Sequence, residues 1–315
     1  MNLLERRRLG RTSLEVSPLC IGAAPLGSVP ANFGYEVGAR QAALTLARVF
    51  DSQLNFLDTS NSYSAGESER RIGAFLAERG GLPEDFVLST KVDRDPVSGD
   101  FGGERVRRSA AESQERLGVD GFQLLFLHNP ELIGFEEAMR PGGAVETLVA
   151  LKDEGVARYI GVAGGPVSMM QRFVHTGAFD AVLTHNRFTL VDQSAAVLID
   201  EAHEAGLGVL NAAPYGGGIL AKGPKFTDRY AYRPAPKDVL DRITAMQSLC
   251  EQAGVTLGAA ALQYSLRNQH VTSTVVGTAT PEHVDALIDI ASKPLPDELW
   301  EQLDKLVPPP STWLD

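Results

Sequence analysis

The 315-residue chain has only two cysteines, Cys20 and Cys250, far apart in sequence. A disulfide framework is therefore excluded, and a reducing cytoplasm is the expected home. Both cysteines read as buried small hydrophobes. No apolar run approaches the ~20 residues that a membrane-spanning helix needs. No apolar signal-type core follows the N-terminal arginines. Positive charge is scarce too: 29 Lys and Arg stand against 40 Asp and Glu, a net charge of −11. Phosphate binding needs a concentrated basic face, so nucleic acid is not an expected partner. The one dense basic run, Arg6-Arg7-Arg8, reads as a solvated tail beside Glu5. A G-x-G-x-x-G loop is missing after the first apolar run, which argues against a doubly wound sheet. His-x-His pairs and clustered carboxylates are missing from the run ends, which argues against a metal hydrolase.

What is present is an ordinary globular composition, 43% hydrophobic and 22% charged. Eight short apolar runs recur: Val16 to Ile21, Leu54 to Leu57, Phe86 to Leu88, Phe122 to Leu127, Tyr159 to Val162, Ala181 to Leu183, Gly208 to Leu210 and Val275 to Val276. Runs without polar alternation suit strands buried on both faces, as in a parallel sheet. Helical spacing fills the gaps, over Ala39 to Phe50, Ser68 to Ala77, Arg105 to Leu117, Ala144 to Lys152, Val167 to His175 and Ser194 to Ala205. Gly118, Gly155, Gly177 and Gly206 stand where left-handed C-caps are wanted. Eight strand–helix units in one chain of this length predict a single α/β domain over residues 1–315, a closed (β/α)8 TIM barrel. One gap is long, Leu210 to Val275, and its stretch Ala213 to Pro236 carries Tyr215, Phe226, Tyr230 and Tyr232. It reads either as a substrate wall or as an excursion packed on its own aromatics. The tail, Pro308 to Asp315, reads as irregular.

Four polar residues stand at or just beyond the ends of the early strands. Asp58 ends the second, Tyr63 follows on its loop, Lys91 ends the third and His128 the fourth. Strand ends converge on one face of a barrel, so these side chains are expected to share a pocket. A tyrosine titrates near ~10, and a neighbouring ammonium lowers that value. Lys91 is thus expected to lower the pKa of Tyr63, Asp58 to hold Lys91, and His128 to orient a substrate oxygen. Such a set moves a proton on an alcohol/carbonyl pair but supplies no hydride, so it needs a redox cofactor.

At this point the sequence resembles the aldo-keto reductases. The resemblance runs from Arg8-Leu9-Gly10-Arg11-Thr12-Ser13-Leu14-Glu15-Val16-Ser17, similar to the family's N-terminal β-hairpin, through Asp58-Thr59-Ser60-Asn61-Ser62-Tyr63, Ser89-Thr90-Lys91 and Leu127-His128, to Gly277-Thr278-Ala279-Thr280-Pro281-Glu282-His283. It implies a catalytic tetrad of Asp58, Tyr63, Lys91 and His128. It also implies a nicotinamide cofactor extended across the barrel mouth, with Tyr63 as general acid in reduction and general base in oxidation. The cofactor positions it implies are Gly164, His185, Asn186, Ala212, Pro214, Gly277, Ala279, Thr280 and His283. Substrate candidates are Phe33, Tyr35 and Tyr215.

The sequence departs from the family where the nicotinamide carboxamide is held. The usual Ser-Asn after strand five is missing from Ile160-Gly161-Val162-Ala163-Gly164-Gly165-Pro166, and His185 stands where a Gln is usual, followed by Asn186. An aromatic usual after strand seven is replaced in Asn211-Ala212-Ala213-Pro214. These departures resemble the sugar-oxidising branch, the L-galactose, L-fucose and D-threo-aldose 1-dehydrogenases, near which a pyridoxal dehydrogenase also falls. A 2′-phosphate wants Arg or Lys. The stretch Thr278 to Asp285 offers neither, so NAD is expected over NADP, with NADP possible. Ala279→Arg is expected to improve NADP use. The expected partner is a small sugar or another alcohol or carbonyl compound; oligomeric state is not read from the sequence. Two other readings stand beside aldose oxidation: an NADPH-dependent carbonyl reductase, and a non-catalytic barrel that senses cofactor state.

Overall fold

A computed structural model describes residues 4–28, 30 and 34–315. Eight parallel strands close into one barrel: β1 Leu19–Gly22, β2 Phe56–Asp58, β3 Val87–Val92, β4 Phe122–His128, β5 Ala157–Gly164, β6 Ala181–His185, β7 Gly208–Ala212 and β8 Ser273–Gly277. Each strand pairs with its sequence neighbour, and β8 closes the ring on β1 with Val275 opposite Cys20. The eight expected strands and the barrel are all present. Around them lie α1 Ala39–Phe50, α2 Glu67–Arg79, α3 Gly103–Leu117, α4 Ala144–Asp153, α5 Val167–His175, α6 Ala196–Glu204, α7 Lys237–Gln252, α8 Leu257–Leu266, α9 Pro281–Ser292 and α10 Asp297–Asp304. The four glycines expected as C-caps all take positive φ, so each ends its helix without steric cost.

Two apolar layers explain why the strands read as continuous runs. One face of each strand packs on the helices, with Leu57, Leu88, Leu125, Leu127, Val162 and Val182 in that cluster. The other face fills the barrel interior, with Cys20, Phe56, Val87, Leu124, Phe126, Ala163, Leu183, Leu210 and Val275. Side chains two apart share a face. The interior therefore continues upward into Gly22, Asp58, Lys91, His128, His185, Ala212 and Gly277, the top layer at the C-terminal ends.

The basic run Arg6-Arg7-Arg8 is not a solvated tail. Arg7–Arg8 pairs antiparallel with Glu15–Val16 as a hairpin under the barrel. Arg7 donates to the carbonyls of Leu266 and Val271, at 2.9 and 2.6 Å. Those carbonyls lie at the end of α8 and in the following loop, where a cation is favoured. Leu9 of the hairpin plugs the floor, and a Cβ on Gly208 would lie 2.4 Å from its side chain. Cys20 and Cys250 are both buried and free.

The long β7–β8 connection builds a second core. Ile219, Leu220 and Tyr230 pack with Ile243 and Met246 of α7 and Trp300 of α10. Its short hairpin, Arg229–Tyr230 with Arg233–Pro234, sits over the barrel mouth. Among the described residues, no helix is long and apolar enough to cross a membrane.

Candidate active site

The top layer opens into a cavity of about 480 Å³. Asp58, Tyr63, Lys91 and His128 all line it. Parallel pairing sets Asp58 beside Ser89, and Lys91 and Asp93 follow Ser89 on the same face. Ser89 Oγ donates to Asp58 Oδ1 at 2.8 Å. The Lys91 ammonium is 1% exposed and has three partners. It donates to Asp58 Oδ2 at 2.6 Å, to the carbonyl of Thr59 at 2.6 Å and to Tyr63 Oη at 3.2 Å. Burial, the largest single influence, would lower its pKa, but the charges and hydrogen bonds of Asp58 and Tyr63 together outweigh burial and raise it. Lys91 is a fixed cation.

Tyr63 departs from expectation. Burial raises its pKa, and the lowering by Lys91 does not cancel that. Desolvation disfavours the phenolate, and the neighbouring carboxylates of Asp58 and Asp93 add to the effect. Tyr63 in the free protein is a phenol.

His128 is held by a residue that the sequence reading missed. Its Nδ1 lies 2.7 Å from Asp93 Oδ1 and 3.1 Å from Ser60 Oγ. Asp93 Oδ2 accepts from Ser60 Oγ at 2.5 Å and from the backbone N–H of Ser62 at 3.0 Å. Burial raises the pKa of Asp93, yet His128 and these hydrogen bonds outweigh it and hold the carboxyl below its usual range. The only sequence signal was spacing: Asp93 lies two residues beyond Lys91, hence on the same face.

Asn61 anchors the loop that carries Tyr63. Its amide donates to Glu112 Oε2 and the carbonyl of Ser109 on α3, and its two oxygens accept from Arg105 and Arg116. The residues after Tyr63 turn through positive φ at Ser64, Ala65 and Gly66, a conformation that costs energy for Ser and Ala. The Asn61 clamp supplies fixed contacts on the other side of Tyr63.

Of the cofactor candidates, His185, Asn186, Ala212 and Gly277 line the cavity, while Gly164, Pro214, Ala279, Thr280 and His283 do not. Burial and the positive charge of Arg187 lower the pKa of His185 to about 4, so its ring is neutral near pH 7. Its Nδ1 lies 3.2 Å from the amide nitrogen of Asn186. Thr280 is the N-cap of α9 and accepts from the N–H of His283 at 3.2 Å. Ala279 is 1% exposed within the core, so an arginine there would displace packed neighbours rather than reach a phosphate, contrary to the expected gain from Ala279→Arg. His283 is exposed on the first turn of α9.

The substrate candidates fare less well. Phe33 lies outside the described residues. Tyr35 is 38% exposed and is not among the lining residues. Tyr215 packs between the two cores instead. Tyr230 is buried, with its hydroxyl 2.6 Å from the carbonyl of Asn186, and Phe226 is 77% exposed. From the long loop, Ala231, Tyr232 and Arg233 reach the cavity, and Leu314 joins them from the tail. The loop is thus mostly its own small core, with one face on the cavity.

Buried polar atoms without partners bear on whether a nicotinamide cofactor fits. Among the described residues they include Glu131 Oε2, Asn186 Oδ1 and Thr278 Oγ1. Glu131 and Asn186 line the cavity, and Thr278 follows the end of β8. Orphaned acceptors and hydroxyls at one mouth suit a polar ligand, so the residues present fit the group.

Comparisons with known proteins bear on the family and the fold. The aldo/keto reductase family profile matches residues 18–308. The chain is 32% identical to D-threo-aldose 1-dehydrogenase of a Pseudomonas species, over 94% of this chain and 96% of that one. It is 31% identical to L-galactose dehydrogenase of Arabidopsis thaliana, over 98% and 96%. Pyridoxal 4-dehydrogenase of Microbacterium luteolum is 27% identical over 95% and 96%. A holo-form aldo-keto reductase structure from Bacillus halodurans shares the fold, with a TM-score of 0.78, 23% identity and 97% coverage of each chain. The protein is an oxidoreductase, and it belongs to the aldo/keto reductase family.

Proposed function

We propose that the protein oxidises the anomeric hydroxyl of an aldose to the lactone, with NAD as hydride acceptor. The observation that carries this reading is the buried Lys91 ammonium, shared between Asp58 and the Tyr63 hydroxyl at the cavity wall. The similarity to two sugar dehydrogenases supports the substrate class. In this account His128 and Tyr63 bind the reacting oxygen, and Tyr63 Oη accepts its proton as a phenolate stabilised by Lys91. A nicotinamide held there would supply the acceptor for the hydride that leaves the same carbon. Tyr232 and Leu314 stand in the cavity wall, where they would shield the reacting oxygen from water once ligand fills the cavity. Residues 278–283 hold the adenosine end, and the absence of Lys and Arg there favours NAD.

The phenol state of Tyr63 favours a second reading. A protonated Tyr63 beside Lys91 is a general acid, ready to give its proton to a carbonyl oxygen during reduction. Product analysis separates the two: lactone formed from an aldose and NAD supports oxidation. Aldehyde reduction by NADPH with no aldose turnover supports the carbonyl reductase. Binding of cofactor without either reaction supports the cofactor-sensing barrel.

A further inference from the structure

The missing side chains at the end of β5 leave space that two other residues fill. No room remains for a side chain at Gly164: a Cβ built on that glycine would lie 2.7 Å from Glu131 Oε2. A Cβ on Gly165 would lie 2.7 Å from Nη1 of Arg187. The N–H of Gly165 donates to Glu131 Oε1 at 3.1 Å, which fixes the carboxylate against the strand end. Glu131 Oε2 is buried with no hydrogen-bond partner. Arg187 is held by Asp315 through Nε and by the carbonyl of His185 through Nη1. Glu131, Gly165 and Arg187 all line the catalytic cavity. One wall thus offers an unsatisfied acceptor and a guanidinium on either side of a bare glycine pair.

A primary carboxamide has the matching chemistry, two N–H donors and one carbonyl acceptor in a plane. We infer that Glu131 and Arg187 form the carboxamide clamp for the nicotinamide end of the cofactor: Glu131 Oε2 accepts a carboxamide N–H, and the Arg187 guanidinium donates to its carbonyl oxygen. The inference rests on the reading of the cavity as a nicotinamide site. A buried carboxylate with a free oxygen also explains why Gly164 and Gly165 carry no side chains, since either would displace the clamp. Asn186, whose Oδ1 is also unpartnered, is the neutral rival.

The test is equilibrium binding, by fluorescence quenching or calorimetry, of NAD and NADP, of their nicotinic-acid forms and of the 3-acetylpyridine analogue. A ligand carboxylate facing Glu131 is repelled by its charge, whereas Asn186 repels neither form. Glu131→Gln is therefore expected to improve binding of the nicotinic-acid form relative to the amide by about tenfold. ADP-ribose, which lacks the nicotinamide, binds this variant as it binds the wild type. On the wild type alone, the 3-acetylpyridine analogue has no N–H to donate and is expected to bind more weakly than NAD. An unchanged amide-to-acid ratio in Glu131→Gln, or equal binding of NAD and the 3-acetylpyridine analogue by the wild type, overturns the clamp while leaving the cofactor site standing. Failure to bind any of the dinucleotides overturns the cofactor site and the clamp together.

Discussion

Asp93 Oδ1 lies 2.7 Å from His128 Nδ1, and the second oxygen of the same carboxylate accepts the backbone N–H of Ser62. The backbone group can only donate, so Asp93 must keep an acceptor there. The carboxylate then accepts from Nδ1–H of His128, leaving Nε2 on the opposite edge of the ring as the atom for substrate.

Asp93→Asn inverts this arrangement. Its amide oxygen stays on Ser62 N–H, its NH2 turns to His128, and the proton moves to Nε2. Turnover is expected to fall by roughly 10²-fold, with a changed pH profile. Nitrogen NMR of the His128 ring checks the tautomer directly. Wild-type kinetics in the variant would show that Asp93 does not position His128.

Tyr63→Phe keeps the ring and removes the proton carrier. Dinucleotide affinity is expected to hold, while turnover drops by roughly 10²–10⁴-fold. Retained turnover would remove Tyr63 from the mechanism.

Lys91→Met tests the cation. It leaves Asp58 buried without its partner, at a cost of about 3–5 kcal/mol, so the melting temperature falls. Lys91 lowers the Tyr63 pKa against burial, so its loss moves the alkaline rise of oxidation to higher pH. Asp58→Asn paired with Lys91→Met relieves the lone charge and is expected to regain stability without regaining activity.

Much of this site was legible because it follows strand arithmetic. Asp58, Lys91 and His128 close short apolar runs, and the period of two carries each from the interior cluster to the cavity. Asp93 was not legible in the same way. It lies past the apolar run, and its value depends on the neighbouring strand that brings His128 alongside. Glu131 and Arg187 follow strands β4 and β6, and only tertiary folding shows that they occupy the space beside Gly164 and Gly165. The aromatics of the long loop left two readings open for a related reason: Tyr230 belongs to a second core built with α7 and α10, and Tyr215 packs against it, which local sequence does not reveal. Arg7 was misread because its partners, Leu266 and Val271, lie at the far end of the chain.

His185 gives the protein a pH-dependent stability. Its folded pKa of about 4 lies below the unfolded value near ~6.5. The unfolded chain therefore binds the proton first, so this stability is complete above ~6.5 and is lost as pH falls toward 4. The full span amounts to at most about 3 kcal/mol, since the ring borders a cavity open to water. His185→Gln is expected to flatten the melting-temperature profile across that window. An unchanged profile would place the acid sensitivity elsewhere.

Cofactor preference is best probed at His283, exposed on the first turn of α9. Nearby, Arg48 is paired with Asp285 at 2.5 Å and is thereby spent. His283→Arg adds a free guanidinium and is expected to raise the NADP-to-NAD efficiency ratio by about tenfold. An unchanged ratio would mean that the adenosine phosphate lies away from this turn.

The most direct test of the central claim is NADH formation by the purified protein with L-fucose, L-galactose, D-arabinose and pyridoxal, run in parallel with NADP. The account expects turnover of at least one aldose with NAD, faster than with NADP, and release of the lactone. No aldose turnover with either cofactor, together with carbonyl reduction by NADPH, would contradict it.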